Sequence, residues 1–308
     1  MKKKKFIIFY LFIIFFFFFF FCKLIDKTLN NIYGLGNPLI YNYSKIYGYE
    51  IKPNQQIKRL KNNISINNEG MRTTNDWPKS SLSKSYKILF YGDSVTYGGS
   101  VVSNKDLFTE KVCHKLKEKK LKSFCGNFGV NGYGLFSIIK RIKYKKIDNE
   151  DLIVITIIGS DFTRGFNHIG NQPFWEKKIL NYFPAFTESL FILIDKFRNK
   201  TKYKFEDSSS TLIDYKFYND NLKEFNDVLN ANGKNYIIFY SPSLDEINGS
   251  NQYSFFKKIL NKNSNFFDLS KIKYKNKKEL YHDNVHLNKK GHEVYSNFIS
   301  KKIFENYK

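Results

Sequence analysis

Cysteine is scarce in this chain. Three occur in 308 residues, too few for a fold stapled by several disulfides or for a multi-cysteine zinc site. Cys22 ends an apolar run, Cys113 falls in an expected helix and Cys125 in an expected strand. The expectation for Cys113 and Cys125 is two small buried residues, with a disulfide as the alternative if this part lies outside the cytosol. Acidic residues are also few: 28 Asp and Glu stand against 51 Lys and Arg, a net charge of +23. That balance invites a nucleic-acid reading. The lysines, however, are scattered among Asn and Ile in every segment, form no single stripe and accompany no nucleic-acid-binding motif, so no nucleic-acid partner is expected. Metal-site spacing is missing too. His282 and His286 are four apart, but their carboxylate and Cys neighbours do not complete a ligand set; no metal and no cofactor are expected.

The N-terminus has one long apolar run. Residues 6–22 are uncharged and rich in Phe and Ile, at the short end of what spans a bilayer. Lys2 to Lys5 precede it, while only Lys23 and Lys27 follow closely. The run lacks a small-x-small cleavage site before Lys23, and Phe-Phe-Phe-Cys22 lacks the small residues of a lipoprotein box. An uncleaved, single-pass anchor is therefore expected, with residues 1–5 in the cytosol and the rest periplasmic or extracellular; a cleaved signal peptide is the competing reading. Residues 23–84 read as a stalk and N-terminal extension. Within it, Ile57, Leu60, Ile64 and Ile66 flank Asn62-Asn63, which suggests a small hairpin.

From residue 85 apolar runs alternate with helical segments. Strands are expected at Tyr86–Tyr91, Phe124–Phe128, Leu152–Ile158, Tyr236–Tyr240 and Phe266–Leu269. Helices are expected at Asp106–Lys120, Leu135–Lys146, Asp214–Asn232, Gln252–Asn261 and about Lys289–Asn306. Continuous runs such as Leu-Ile-Val-Ile-Thr-Ile-Ile suit strands buried on both faces. The alternation argues for a three-layer α/β/α sandwich around a five-stranded, mainly parallel sheet over residues 85–308. Residues 162–213 interrupt the rhythm as an aromatic-rich insert that suits a lid, a substrate wall, an interfacial helix or an extra core helix.

Three loops leave strand ends with reactive or glycine-rich residues: Gly92-Asp93-Ser94, Asn127 to Gly134, and Gly159-Ser160-Asp161. Asp283-Asn284-Val285-His286 arrives late in the chain. Each piece alone is common. In this order, at the C-terminal ends of parallel strands where ligands bind, they make a candidate for serine nucleophilic catalysis, which needs a base and an orienting acid. His114 and His292 read as solvated and structural respectively, and His168 lies in the insert.

With these blocks the chain resembles the SGNH (GDSL) hydrolase superfamily over about residues 85–308. Gly92-Asp93-Ser94 matches the serine block, Asn127 to Gly132 the glycine block and Asp283-Asn284-Val285-His286 the final block. Asn67-Asn68-Glu69-Gly70-Met71-Arg72 resembles the lead-in of membrane-anchored members. The resemblance implies a membrane-anchored serine ester hydrolase. Ser94 would be the nucleophile, His286 the base and Asp283 its orienting acid. The oxyanion would be held by backbone N–H groups of Ser94 and Gly132, with Ser160 assisting. The family usually carries Gly-x-Asn-Asp where this chain has Gly159-Ser160-Asp161, so Ser160 replaces an amide donor. The implied substrates are acyl esters of glycans or small lipids. An O-acyltransferase using the same triad, and a catalytically weakened envelope protein, remain alternatives.

Overall fold

A computed structural model describes residues 2–78, 85–145, 147, 149–164, 182–202, 215–231 and 235–307. The chain divides into two compact units. One holds residues 1–38, 57–62 and 170–212; the other holds 39–56, 63–169 and 213–308.

The first unit is built on α1 (Lys2–Tyr33). The helix runs well past the apolar stretch ending at Cys22, because residues 23–33 contain no Pro or Gly to stop it. It ends where Gly34 adopts φ +70 and its N–H returns to the Asn30 carbonyl at 2.7 Å, a left-handed helix end that suits glycine. Phe6–Tyr33 is long and apolar enough to cross a membrane, with mean hydropathy 2.7 over its most apolar window.

In the second unit β1 (Tyr41–Ser44) and β2 (Gly48–Ile51) pair antiparallel. β3 (Gln55–Arg59) and β4 (Asn62–Ile66) form a further two-stranded sheet, of which residues 57–62 belong to the first unit. The hairpin turn is Leu60-Lys61, both at positive φ (47 and 67), and not the expected Asn62-Asn63. Two central residues at positive φ match the right-handed twist of the flanking strands, and Asn62-Asn63 instead begins β4.

The central sheet comprises β5 (Tyr86–Gly92), β6 (Ser123–Asn127), β7 (Leu152–Ile157), β8 (Asn235–Tyr240) and β9 (Phe266–Asp268). Their order is β6-β5-β7-β8-β9, and every pairing is parallel. Ile88, Phe90, Val154, Ile237 and Phe239 face a cluster with Phe108, Val112 and Leu116 of α3 (Phe108–Glu118) and Tyr295, Ile299 and Ile303 of α9 (Lys289–Tyr307). The alternate residues Leu89, Tyr91, Ile153, Ile155, Ile238 and Tyr240 are buried on the opposite face. That side carries α4 (Leu135–Tyr144) and α6 (Tyr215–Ala231), which pack on each other. The result is a three-layer α/β/α sandwich.

Cys113 of α3 and Cys125 of β6 form a disulfide with Cα atoms 6.0 Å apart. This corrects the expectation of two unpaired buried cysteines: the helix crosses beside the edge strand at bridging distance. Cys22 remains free.

Candidate active site

The sheet order reverses between β5 and β7, since β6 lies on one side of β5 and β7 to β9 on the other. Crevices form at such switch points, beyond the carboxyl ends of the strands. Ser94 follows β5 and Ser160 follows β7, so both border it.

Ser94 opens the four-residue helix α2 (Ser94–Tyr97), capped by Asp93, whose carboxylate accepts from the Val95 N–H at 2.8 Å. The Asn127–Gly134 loop packs on that helix. The Asn127 amide donates to the Thr96 carbonyl at 2.7 Å and its oxygen accepts from the Gly129 N–H at 2.9 Å. A Cβ on Gly129 would overlap the backbone of Thr96 and Tyr97. Gly132 sits at φ +77, a conformation L side chains rarely adopt. The β1–β2 ribbon supports this loop: the Tyr49 hydroxyl donates to the Asn131 carbonyl at 2.5 Å, and the Asn131 amide donates to the Tyr41 hydroxyl at 3.1 Å.

Asp283 and His286 are brought to Ser94 by a tight turn. The Asp283 Oδ1 accepts from the N–H groups of Val285 (2.9 Å) and His286 (2.8 Å), and Oδ2 lies 2.7 Å from His286 Nδ1. His286 Nε2 lies 2.8 Å from Ser94 Oγ. With Nδ1 facing the carboxylate, the imidazole holds its proton there, and Nε2 is the acceptor for the serine hydroxyl. Partial burial works against the ionised Asp283. The backbone donors of His286 and Val285 and the His286 ring outweigh it, and hold the carboxyl below its usual range. Asn284 fastens the turn to α7 (Leu244–Ile247). Its carbonyl accepts from the Leu244 N–H at 2.8 Å, and its side chain exchanges hydrogen bonds with Asp245 at 2.8 and 3.2 Å.

Ser160 lies in the turn Gly159–Phe162 after β7. It lines a cleft of about 190 Å³ together with Asp245, Tyr253, Asn284 and Val285. A Cβ on Gly159 would strike the Tyr253 ring.

Beneath Ser94 lies a charged cluster that the sequence reading did not identify. Asp93 and Asp161 both have fully buried side chains. Arg164 reaches Asp93 at 3.2 Å, Asp161 at 3.1 Å and the Tyr133 carbonyl at 3.1 Å. It thereby links the serine, glycine and Ser160 loops. Burial, and then the neighbouring Asp93 carboxylate, push Asp161 well above the usual carboxylate range, and Arg164 only partly offsets them. Two acids this close disfavour each other's ionisation, which adds to the upward shift that burial gives Asp161. Asp93 Oδ2 lies 3.4 Å from Ser94 Oγ, a longer and weaker contact than the one to His286. A lone arginine four residues after Ser160 carries no pattern that would mark it in advance.

Arg72, at the end of the Asn67–Arg72 segment, is fully buried. It donates to the carbonyls of Tyr97 (2.7 Å), Gly99 and Val102 (2.6 Å), bracing the loop behind α2. His114 is exposed. His292 is buried, and its Nδ1 accepts from the Phe108 N–H at 3.2 Å. Burial, with the nearby Arg72 charge, lowers its pKa to about 3. His168 lies outside the described residues. Among the described residues no group of three or more His, Cys, Asp or Glu is placed to hold a metal.

No protein family model matches the chain, and no curated protein is similar to it in sequence. Solved structures are similar at low identity. A lipase/acylhydrolase from Enterococcus faecalis is 16% identical, with a TM-score of 0.46 over 72% of this chain and 96% of its own. A member of the lipolytic protein G-D-S-L family from Veillonella parvula DSM 2008 is 14% identical, with a TM-score of 0.42 over 72% and 97%. AlinE4, an SGNH-hydrolase family esterase, is 15% identical, with a TM-score of 0.41 over 73% and 98%. This chain is thus similar to solved structures described as GDSL and SGNH hydrolases.

Proposed function

We propose that this chain is a membrane-anchored serine ester hydrolase acting through Ser94, His286 and Asp283. The observation that carries the reading is the continuous Ser94–His286–Asp283 hydrogen-bonded line, at 2.8 and 2.7 Å. Ser94 Oγ attacks the acyl carbon while His286 Nε2 takes its proton. The negative charge that develops on the acyl oxygen is held by the N–H groups of Ser94 and Gly132, with the Ser160 hydroxyl as a third donor. On collapse His286 returns the proton to the departing alkoxide, leaving an acyl-serine. Water then attacks that ester with His286 again as base, and the acid and free Ser94 are regenerated. Asp283 fixes the imidazole tautomer and stabilises the imidazolium.

The similar structures carry lipase, acylhydrolase and esterase in their descriptions, which accords with an acyl ester of a small molecule or glycan as substrate. The Asp283 and His286 side chains are 49% and 28% exposed. That access favours water over a sugar hydroxyl as the acceptor, and so hydrolysis over acyl transfer. A fluorophosphonate probe should label the wild-type chain and spare Ser94→Ala. Labelling that survives in Ser94→Ala removes Ser94 as the nucleophile.

The positive residues Lys2–Lys5 before the apolar run favour a cytosolic N-terminus, with the catalytic unit on the far side. Alkaline phosphatase fused after the last residue should then be active. Activity only from a cytosolic reporter reverses the orientation.

A further inference from the structure

The Gly132 N–H, assigned above to the oxyanion, is one half of a peptide unit whose other half is the Asn131 carbonyl. The unit is trans and planar, with its C=O and N–H pointing in opposite directions. Whatever holds the carbonyl therefore also aims the N–H. The Tyr49 hydroxyl holds it, donating to the Asn131 carbonyl at 2.5 Å. A hydrogen bond accepted by the carbonyl also makes the N–H a stronger donor, because linked hydrogen bonds polarise one another.

The strand ladder releases the loop just before this unit. The Phe128 and Val130 N–H groups still donate to the carbonyls of Phe90 and Gly92 in β5, at 2.7 and 3.1 Å. Gly132 follows at φ +77, and glycine loses more conformational freedom than any other residue when it is fixed. From Asn131 onward the β1–β2 ribbon and α4 take over the hold. The Tyr133 hydroxyl donates to the Tyr49 carbonyl and accepts from Arg141 of α4 at 3.3 Å. Arg141 is fully buried. Its guanidinium lies 4.7 Å from the Phe128 ring and 5.9 Å from that of Tyr133, both in the same loop. The Tyr49 ring meets those of Tyr41 and Tyr133 edge-on, with centroids 5.5 and 5.4 Å apart, which fixes where its hydroxyl points. Burial pushes the pKa of that hydroxyl up to about 12, so at neutral pH it remains a donor.

We propose that Tyr49 is a positioning residue for the oxyanion: it aims and polarises the Gly132 N–H through the peptide unit whose carbonyl it holds. This role rests on the hydrolase reading above and adds to it a residue that no motif marks. Oxyanion donors are effective because they need no reorganisation as charge develops, and misplacing a reacting group by about an ångström can cost 10²-fold. The hold on the far end of the peptide is thus part of the rate.

Tyr49→Phe in the full chain is the test, because it keeps the ring and the backbone carbonyl that Tyr133 uses and deletes only the hydroxyl. On a short-chain aryl ester kcat should fall about 10-fold, a fraction of the ~10²–10³ lost with a whole oxyanion donor, while KM changes little. A trifluoromethyl ketone supplies the second readout. Ser94 Oγ adds to its carbonyl carbon, His286 takes the proton, and the ketone oxygen becomes the anion. The inhibition constant should weaken by the same factor as kcat/KM, a parallel that a merely structural residue would not produce. Circular dichroism checks folding. If Tyr49→Phe does not fold, Tyr133→Phe, which frees the Tyr49 carbonyl, takes its place with the same readouts. An unchanged kcat in the folded variant overturns the proposal, and so does a fall in kcat without a matching loss of ketone affinity. A wild type that neither hydrolyses the ester nor takes up a fluorophosphonate removes the hydrolase reading and this role with it. An active, labelled wild type that Tyr49→Phe equals removes the role alone.

Discussion

Ser94 stands between two settings of the same residue types. On its outer side Asp283 and His286 lie in a turn open to water, and Asp283 is held ionised by N–H donors. On its inner side Asp93, Asp161 and, further back, His292 are sealed from solvent. There burial dominates: it pushes the Asp161 carboxyl well above the usual carboxylate range, and His292 stays neutral down to about pH 3. An aspartate or histidine is thus fitted for proton exchange or for scaffolding by its solvation more than by its identity. In the proposed reaction the outer pair cycles a proton through each turnover. The inner groups are sealed from such exchange, and Asp93 and Asp161, through Arg164, tie together the loops around Ser94.

The largest effects should come from the outer side. Ser94→Ala should lower turnover of a short-chain aryl ester by on the order of 10⁶-fold, the scale seen when a triad nucleophile is removed. Asp283→Asn should cost about 10⁴-fold by presenting the wrong imidazole tautomer. Comparable activity in Asp283→Asn would show that the exposed carboxylate is dispensable and erase the contrast.

On the inner side, Arg164→Gln should reduce kcat by roughly 10²-fold, the cost of misplacing reacting groups by an ångström, with a smaller change in KM. Arg164→Lys should recover part of the loss, because one ammonium meets fewer of the three acceptors. A variant that only loses thermal stability and keeps kcat would reduce Arg164 to a structural brace.

The pH dependence of stability sharpens the same contrast. His292 has a folded pKa near 3, against 6.5 for an unperturbed histidine. The unfolded chain takes up a proton below pH 6.5 that the folded chain refuses until about pH 3. This residue's contribution is therefore complete above pH 6.5 and is lost as pH falls towards 3. Between pH 6.5 and 5 the loss should reach up to about 2 kcal/mol, at 1.36 kcal/mol per pH unit. Urea unfolding of His292→Gln at the two pH values should show a shallower decline than the wild type. An identical decline would place the sensitivity elsewhere.

The smallest effect concerns Ser160. Ser160→Asn supplies an amide donor and should raise turnover by up to ~10-fold, a fraction of a full oxyanion donor. Ser160→Ala should lower it. If Ser160→Asn abolishes turnover in a folded protein, the pocket is built around serine.

The sheet is legible chiefly through β5, β7 and β8, which are largely buried on both faces and read as apolar runs, whereas β6 and β9 are short and partly exposed; all five lie within one residue of their expected bounds. The candidate triad was legible because Gly92-Asp93-Ser94 and Asp283–His286 each fall within one short loop. The Asp93–Asp161–Arg164 cluster joins residues from separate loops whose meeting depends on strand order, and no local spacing encodes it. The same holds for Asn284 against Asp245 and for Tyr49 against Asn131. The disulfide is not legible, since two cysteines twelve residues apart do not reveal whether a helix crosses beside its neighbouring strand. The end of α1 at Tyr33 is not legible because polarity changes at Lys23 while helix propensity does not.

The Ser94–His286 contact closes a loop of 192 residues. At a synthesis rate of about 5–20 residues per second, the nucleophile exists for on the order of 10–40 seconds before its base has been made. Throughout that interval the serine is an ordinary alcohol, because a chain not yet made as far as His286 lacks the proton acceptor that would activate it. The enzyme proposed here would thus stay silent until the loop carrying His286 has been made and has folded onto Ser94.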